Sequence, residues 1–339
     1  KNLDMNKKDK KNTDLLTING LFKSLSQSIR KVDNQIKKNI QDEERLITLA
    51  ASHLIDAEGK KLRPVLTLLF SRLLKYKGKA QYNLAVCIEF IHNATLLHDD
   101  VIDGGKLRRG KKSANLIWGN KISVLVGDYL LSKAFKLMVA DKSIKVLQIL
   151  SETSLILARG QIQDVNNLYK IDLSEKKYLS IINSKTAELF RVSCYLPSII
   201  SNQPKNIQKS LNSFGYHFGM AFQLSDDILD YFGKSKKLGK MIGKDFYEGK
   251  VTYPVIHAYR NTSSLNKKRL KKFFLKKKRS KKDFIDTLSI MESCNTHIES
   301  IKFLNKYLKK AKSAVLKFEG SRDKVYLDAL VEYLHIRDK

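Results

Sequence analysis

Two short stretches of the chain, LLHDDVID at 96–103 and FQLSDDILD at 222–230, each place three aspartates within five residues. The apolar residues before each stretch follow the 3.6-residue period of a helix, so each cluster is predicted to lie on one helical face. Carboxylates four positions apart, such as Asp99 and Asp103, repel each other, and a divalent cation that prefers oxygen ligands, such as Mg²⁺, removes that cost. The repeated pattern predicts two helices whose acidic faces share metal ions inside a helical bundle. The alternative is a solvated run of charge at each helix end.

The rest of the sequence is typical of an all-α protein. Only four prolines occur among 339 residues, 42% of which are hydrophobic, and the apolar spacing is helical over long stretches. No linker rich in Pro, Gly or Ser interrupts it, so we predict a single-domain helical bundle at 15–339, after a polar, disordered tail at 1–14. The three cysteines form no CxxC pair, and no apolar run is long enough to span a membrane. We therefore expect a protein of the reducing cytoplasm without disulfides or zinc.

The net charge of +30 raises the question of an anionic partner. Eleven of the sixteen residues at 267–282 are basic, with Phe273 and Phe274 between them, as in an interfacial helix or a nucleic-acid footprint. Lysines are scattered over every other segment too, so a solvated basic face explains the run more simply. Peripheral contact of 267–282 with a membrane stays open, and a nucleic-acid partner is not favoured.

Two adjacent arginines, Arg108 and Arg109, follow the first aspartate cluster. Arginine is a planar donor suited to phosphate, so the arginines and a carboxylate-bound metal ion together predict a site for a phosphorylated ligand. The surrounding GKLRRGK at 105–111 fits the GxxxxGK part of a P-loop, but Lys112 stands where that loop needs Ser or Thr. The residues before it also predict a helix instead of a strand, so a P-loop is disfavoured.

Five segments, taken in order, resemble the trans-type polyprenyl diphosphate synthases, which include farnesyl, geranylgeranyl and long-chain octaprenyl to decaprenyl synthases. EGKKLRP at 58–64 resembles the GKxxRP segment of that family, and LLHDDVIDGGKLRRG at 96–110 resembles its first aspartate-rich motif. SKTAELF at 184–190 resembles its Lys-Thr segment, FQLSDDILDY at 222–231 its second aspartate-rich motif, and LGKMIGKDFYEGKVTYPVI at 238–256 the lysine-bearing segment that follows. The resemblance covers nearly the whole chain.

The resemblance implies an isoprenoid-synthase fold, in which the helical bundle surrounds a central cavity, and a homodimer. It implies Mg²⁺-dependent head-to-tail condensation of isopentenyl diphosphate onto an allylic diphosphate such as farnesyl diphosphate. It also implies about three Mg²⁺ ions per active site, which Mn²⁺ can replace. The allylic diphosphate loses diphosphate, and the double bond of isopentenyl diphosphate attacks the resulting cation. Catalysis then comes from positioning and from charge stabilisation, and no nucleophilic Ser, Cys or His is required.

The resemblance assigns roles to particular residues. It implies three metal ligands: Asp99, Asp103 and Asp226. It places three further aspartates in or beside the metal shell: Asp100, Asp227 and Asp230. The isopentenyl diphosphate site it implies consists of Lys60, Arg63, His92 and Arg109. The groups it implies around the allylic diphosphate are Arg108, Lys185, Thr186, Gln223, Lys240 and Lys250. The predicted catalytic residues are the six aspartates and Lys185. Without these motifs, Lys60, Lys240 and Lys250 would be interpreted as surface lysines, and His92 as an ordinary core histidine.

The helix before the first aspartates carries the prediction of product length. The hydrocarbon tail is expected to run back along that helix, whose turn of about 5.4 Å is comparable to one extended isoprene unit. Short-chain members of the family carry a bulky aromatic residue four or five positions before the first aspartate, where this chain has Thr95 and Ala94. Ile91, Phe90 and Cys87 lie deeper on a similar face. We predict a C35–C50 product, with octaprenyl diphosphate for a quinone side chain favoured and a geranylgeranyl synthase as the alternative.

Some residues depart from the family pattern. Gly104, Gly105 and Lys106 stand where relatives carry acidic or hydroxyl residues, and Arg159 stands where long-chain relatives often carry glutamate. The C-terminal IRDK resembles the basic ending of the family. Other functions stay open: a head-to-head prenyl-coupling enzyme or terpene cyclase, a catalytic or noncatalytic subunit of a heteromeric synthase, and a basic nucleic-acid-binding protein.

Overall fold

The computed structural model describes residues 18–56, 59–108, 110–233 and 242–336. Within these ranges the chain consists almost entirely of helices, which confirms the predicted all-α class. The α-helices before residue 170 are α1 (Ile18–Ile40), α2 (Arg45–Ile55), α3 (Leu62–Leu73), α4 (Ala80–Ile102), α5 (Ala114–Ala140) and α6 (Ile144–Asn166). Those that follow are α7 (Glu175–Ile182), α8 (Glu188–Ile200), α9 (Lys205–Phe232), α10 (Lys244–Glu248), α11 (Tyr253–Asn261), α12 (Ser264–Leu275), α13 (Lys281–Ser293), α14 (Thr296–Ala314) and α15 (Arg322–Ile336).

Three shorter elements complete the described chain. A two-stranded antiparallel hairpin of β1 (Leu107–Arg108) and β2 (Lys111–Lys112) joins α4 to α5. A π-turn (Asn183–Ala187) lies between α7 and α8, and a 3₁₀ turn (Leu316–Phe318) precedes α15. The predicted tail at 1–14 and the last three residues of IRDK, at 337–339, lie outside the described residues.

The chain forms two compact units. The first comprises Lys1–Ser151, Val192–Phe214 and Lys312–Tyr333, and the second comprises Glu152–Arg191, Gly215–Ala311 and Leu334–Lys339. The first aspartate cluster belongs to the first unit and the second cluster to the second unit. The single catalytic domain over 15–339 and its central cavity stay predictions.

Helix α4 is the core helix of the first unit. It packs against α5 most extensively and also against α3 and α1, and its residues Leu84–Ile91 are all buried. A helix that is apolar on all sides has to be surrounded by other helices, which fits this position. Because α4 ends at Ile102, this packing fixes where the first aspartates leave the core.

Two glycines let the π-turn of the second unit pack closely. A Cβ on Gly160 of α6 would lie 2.8 Å from the backbone nitrogen of Lys185, and a Cβ on Gly219 of α9 would lie 2.6 Å from the Ala187 Cα. Real Cβ atoms do not approach this closely, so only glycine permits the two contacts. The turn, which carries Lys185 and Thr186, is therefore held between α6 and α9.

Among the described helices, none is both long and apolar enough to cross a membrane.

Candidate active site

The first aspartate cluster lies at the C-terminal end of α4. Asp99 and Asp103 are partly exposed, and the Asp103 amide donates to the Asp99 carbonyl at 2.8 Å. The Gly104 amide donates to the Val101 carbonyl at 3.4 Å and the Gly105 amide to the Asp100 carbonyl at 2.9 Å, while Gly104 has φ +61°. These are the two hydrogen bonds of a Schellman motif, which ends a helix at a left-handed residue. The glycines that depart from the family pattern therefore stop α4 directly after the aspartates.

Asp100 is buried beneath this turn and pairs with Arg108. Its carboxylate is 3% exposed and accepts from the Arg108 Nε at 3.1 Å, with Arg108 Nη2 as a second donor. A Cβ on Gly105 would lie 3.0 Å from the Asp100 Oδ1, so glycine leaves room for the pair. A buried carboxylate that already accepts a fork of guanidinium hydrogen bonds acts as an anchor for the arginine. This geometry holds Arg108 beside the partly exposed aspartates.

The GKxxRP-like segment is tied to three other helices of the first unit. The Lys60 ammonium lies 3.9 Å from the ring centroid of Tyr333 on α15. Lys61, in the left-handed region at φ 42°, pairs with Asp33 of α1 at 2.8 Å. The Arg63 Nη1 lies 3.2 Å from the His92 Nε2. The structure therefore brings Arg63 and His92 together, as expected of residues that share one anion site.

The predicted tunnel residues are mostly inside the core. Ala94, Ile91, Phe90 and Cys87 are at most 2% exposed, and the Thr95 hydroxyl donates to the His92 carbonyl at 2.8 Å. The Cys87 thiol contacts the Ala134 carbonyl of α5 at 3.6 Å, so it lies in the α4–α5 contact. Small side chains at the two positions nearest the aspartates are consistent with an open path, while the product length stays a prediction.

The second aspartate cluster lies on α9, and two of its three carboxylates are tied into the second unit. Asp227, 2% exposed, accepts from the Tyr178 hydroxyl at 2.5 Å and from the Gln223 amide at 2.7 Å. Asp230 accepts from the backbone amides of Lys244 at 3.1 Å and Asp245 at 2.9 Å. Asp226 is partly exposed. Hydrogen bonds thus fix Asp227 and Asp230, while Asp226 and Asp230 are both partly exposed.

The Lys-Thr segment joins this network. The Thr186 hydroxyl donates to the Gln223 Oε1 at 2.7 Å, and Gln223 in turn donates to Asp227. The Lys185 ammonium pairs with Asp164 of α6 at 2.7 Å. The structure therefore joins Thr186 and Gln223 to the second cluster, while Lys185 is fixed by α6. Their role at an allylic diphosphate stays a prediction. Lys250 pairs with Glu248 at 2.7 Å.

The electrostatics of the second cluster favour a bound cation. Burial, and next the negative charge of Asp245, raise the pKa of Asp230 to about 8 and hold the pKa of Asp227 well above its usual range. Burial also raises the pKa of Asp245 itself. The raised pKa values mean that, without a bound cation, the simultaneous ionisation of these neighbouring carboxylates is unfavourable. A divalent cation would offset this charge, and carboxylate oxygens are suitable ligands for Mg²⁺.

Neither cluster is by itself a complete metal site. In the part of the chain that the structure describes, no three His, Cys, Asp or Glu side chains are grouped so as to hold a metal ion. Asp100, Asp227 and Asp230 each accept hydrogen bonds from the protein, so each cluster offers few carboxylates for a metal. The ligand set Asp99, Asp103 and Asp226, drawn from both units, stays a prediction.

Some predicted residues cannot be located, and others were missed. Arg109 and Lys240 lie outside the described residues. The sequence did not predict three further residues of the site: Asp164, Tyr178 and Asp245. Asp164 and Tyr178 contact predicted site residues, and Asp245 adds negative charge beside the second cluster. Asp164 could have been found from its place in GQIQD, a polar run on an otherwise apolar helix, whereas nothing in the sequence singles out Tyr178.

Comparison with known proteins agrees with this geometry. The polyprenyl synthetase family model matches residues 44–291. The chain is 34% identical to the octaprenyl diphosphate synthase of Haemophilus influenzae over 328 residues, which cover 96% of this chain and 98% of that protein. It is also similar to the crystal structure of a decaprenyl diphosphate synthase from Rhodobacter capsulatus, with a TM-score of 0.91 and 35% identity over 95% of this chain and 99% of that one.

A second solved structure is similar to the same degree. The polyprenyl synthase from Caulobacter crescentus CB15, complexed with calcium and isoprenyl diphosphate, has a TM-score of 0.90 and 35% identity over 94% of this chain and 97% of that one. The family model alone spans well over half of the chain, and the relatives agree with it over nearly the full length. The chain therefore belongs to the polyprenyl synthetase family and is a prenyltransferase.

Proposed function

We propose that this long-chain trans-polyprenyl diphosphate synthase adds isopentenyl diphosphate to an allylic diphosphate until the chain reaches C35–C50, with octaprenyl diphosphate the favoured product. The observation that carries the proposal is the pair of small residues, Ala94 and Thr95, five and four positions before the first aspartate. The octaprenyl synthase of Haemophilus influenzae and the decaprenyl synthase of Rhodobacter capsulatus support a long product.

Lys60, Arg63, His92 and Arg109 form the isopentenyl diphosphate site in this proposal. The Arg63 Nη1 and His92 Nε2 atoms, 3.2 Å apart, can both face one diphosphate. Arginine presents a planar fork to phosphate oxygens, and the lysine adds a point charge. These residues bind and orient the acceptor, whose double bond has to face the allylic carbon.

Arg108, Lys185, Thr186, Gln223, Lys240 and Lys250 surround the allylic diphosphate in this proposal. Arg108 is held by Asp100, and Lys185 by Asp164, so both cations are positioned before substrate arrives. Preorganised donors of this kind stabilise the charge that develops on the leaving diphosphate. We assign the proton that leaves after coupling to the departing diphosphate, a base that the reaction itself supplies.

Mg²⁺, at about three ions per site, would be held by Asp99, Asp103 and Asp226, with Asp100, Asp227 and Asp230 supporting them. Bound Mg²⁺ would supply positive charge to the diphosphate oxygens and make diphosphate a better leaving group. The similarity to a synthase complexed with calcium and isoprenyl diphosphate supports the use of divalent cations.

The metal proposal is tested by substitution. Asp99→Ala and Asp226→Ala are each expected to lower turnover by more than about tenfold, which corresponds to about 1.4 kcal/mol in the activation barrier. Asp172→Ala, which removes an exposed carboxylate in the turn before α7, is the control and should leave turnover unchanged. Turnover of either test variant within tenfold of the parent would contradict the proposed ligand set.

A homodimer is part of the proposal, and α5 carries the surface that supports it. Val124, Leu125, Phe135 and Val139 are 38%, 62%, 36% and 62% exposed and lie within an arc of about 100° on the helix. Exposed Asp128 and Ser132 lie within the same arc, so the surface is mixed. Four large apolar side chains exposed together on one helix face still support a surface that another chain covers. Leu125→Glu should convert a dimer of twice 38.9 kDa to monomer in light scattering, whereas Leu265→Glu, at an equally exposed leucine of α12, should not. A monomeric parent would contradict the homodimer.

Product analysis separates the remaining alternatives. A head-to-head coupling enzyme or a terpene cyclase would not incorporate isopentenyl diphosphate into a growing chain, whereas a geranylgeranyl synthase would stop at C20. A catalytic subunit of a heteromeric synthase would be inactive alone and active with its partner. Membrane contact through 267–282 would appear as Mg²⁺-independent binding to anionic vesicles that salt weakens.

A further inference from the structure

Arg279 differs from the rest of the basic segment 267–282. Eight of the eleven basic residues there are exposed, whereas Arg279 is only 8% exposed. Its guanidinium lies 5.0 Å from the Tyr169 ring, 5.6 Å from the Phe246 ring and 5.2 Å from the Phe274 ring. Burying a cation is costly, and burial lowers the pKa of Arg279. Such a residue is retained only where its contacts offset that cost.

The guanidinium connects two helices of the second unit. Its Nη1 donates to the Tyr247 carbonyl of α10 at 3.1 Å, and its Nη2 donates to the Phe274 carbonyl of α12 at 3.2 Å. Phe246, beneath the guanidinium, also belongs to α10. One side chain therefore holds α10 both by a hydrogen bond to its backbone and by contact with an aromatic ring.

Helix α10 depends on such contacts because it has five residues, too few to be stable alone. Left-handed glycines, Gly243 at φ 79° and Gly249 at φ 80°, flank it. The Tyr169 amide donates to the Gly249 carbonyl at 2.8 Å, and a Cβ on Gly249 would lie 2.3 Å from the Tyr169 ring. Tyr169 and Arg279, which contact each other, thus fix the C-terminal end of α10 together.

The opposite end of α10 reaches the second aspartate cluster. The amides of Lys244 and Asp245 donate to the Asp230 carboxylate, and the Gly243 amide donates to the Asp230 carbonyl at 2.7 Å. Lys250, a predicted ligand of the allylic diphosphate, follows directly after α10. A shift of α10 would move the donors to Asp230 and the lysine together.

We propose that Arg279 is a positioning residue for the allylic diphosphate site: it fixes α10, and α10 in turn fixes Asp230 and Lys250. The proposal rests on the proposed function, since it names the support of that same site. The most buried basic residue of the segment then serves the reaction, while the exposed lysines of the segment face solvent. The competing explanation is that Arg279 only adds stability to the second unit.

The two explanations differ in which substrate they affect. Arg279→Lys keeps the charge but loses the planar fork that donates to the Tyr247 and Phe274 carbonyls. If Arg279 positions the site, the variant should raise the KM for farnesyl diphosphate and the Mg²⁺ concentration for half-maximal rate by roughly three- to tenfold. The KM for isopentenyl diphosphate, bound in the first unit, should stay within about twofold. Lys278→Gln, at an exposed neighbour in the same turn, is the matched control and should change none of these values.

A binding measurement and a second variant complete the test. Titration calorimetry with Mg²⁺ and farnesyl thiodiphosphate, which does not react, should show weaker binding to Arg279→Lys than to the parent. Tyr169→Leu keeps Arg279 but removes one ring beneath it, and it should shift the same constants in the same direction. It serves as the test variant if Arg279→Lys does not fold.

The outcomes are distinct. A variant that unfolds at lower temperature while its binding and kinetic constants equal those of the parent would overturn the positioning role, as would equal increases in both substrate KM values. A parent that neither incorporates isopentenyl diphosphate nor binds the Mg²⁺-loaded analogue would overturn the proposed function, and the positioning role with it.

Discussion

Replacing Gly104 by alanine tests whether the end of α4 is set by the Schellman turn. Gly104 has φ +61°, and a Cβ there would meet nothing within 4 Å, so the substitution adds backbone strain and no clash. A left-handed conformation costs a residue with a Cβ about 1–2 kcal/mol, and glycine avoids that cost. We therefore expect Gly104→Ala to lower the free energy of unfolding by about 1 kcal/mol, or the melting temperature by about 2 °C.

The strain has a functional consequence because Gly104 directly follows Asp103. If the turn relaxes, the Asp103 amide loses its 2.8 Å bond to the Asp99 carbonyl, and both carboxylates move. Gly104→Ala should then raise the Mg²⁺ concentration for half-maximal rate by roughly threefold or more. Gly104→Asn should largely restore the parent value, because asparagine tolerates the left-handed region.

Gly320→Ala is the matched control. Gly320 has φ +79° with nothing within 4 Å of its Cβ position, and it lies before α15, away from the aspartates in the sequence. It should cost similar stability in thermal unfolding and leave the Mg²⁺ dependence unchanged. The reasoning would be refuted if Gly104→Ala unfolded at the parent temperature, or if both glycine variants changed the Mg²⁺ dependence equally.

Three further predictions follow from single contacts. Ala94→Phe places an aromatic ring in the predicted tunnel and should shorten the product in chromatography of the extracted prenyl chains; an unchanged product distribution would mean that the tunnel does not pass that residue. Asp164→Asn removes the charge partner of Lys185 and should raise the KM for the allylic diphosphate by roughly three- to tenfold, with the KM for isopentenyl diphosphate unchanged. Tyr333→Leu removes the ring over Lys60 and should raise the KM for isopentenyl diphosphate by roughly two- to fivefold, whereas Tyr333→Phe should not.

The helical class and the two aspartate clusters could be predicted because both follow from local spacing. Asp99 and Asp103 lie at the end of one helix, as the apolar period before them and their four-residue spacing implied. Thr186 and Gln223 are joined by a hydrogen bond although they are far apart in the sequence, which only the family resemblance anticipated.

Other features could not be predicted because they depend on long-range contacts or on backbone conformation. The pairing of Asp100 with Arg108 requires the turn at Gly104 and Gly105, whose hydrogen bonds are not visible in the residue pattern. The burial of Arg279 inside a run of exposed lysines depends on Phe274 of the neighbouring helix and on two rings distant in the sequence, Tyr169 and Phe246. Nothing in the structure explains Arg159, which is exposed on α6.

The central claim is tested most directly by incubating the purified protein with Mg²⁺, labelled isopentenyl diphosphate and farnesyl diphosphate, and then sizing the extracted prenyl chains. The proposal predicts a ladder of all-trans products that ends at one length between C35 and C50. A protein shown to be folded that incorporates no isopentenyl diphosphate in the presence of Mg²⁺, or that stops at C20, would contradict it.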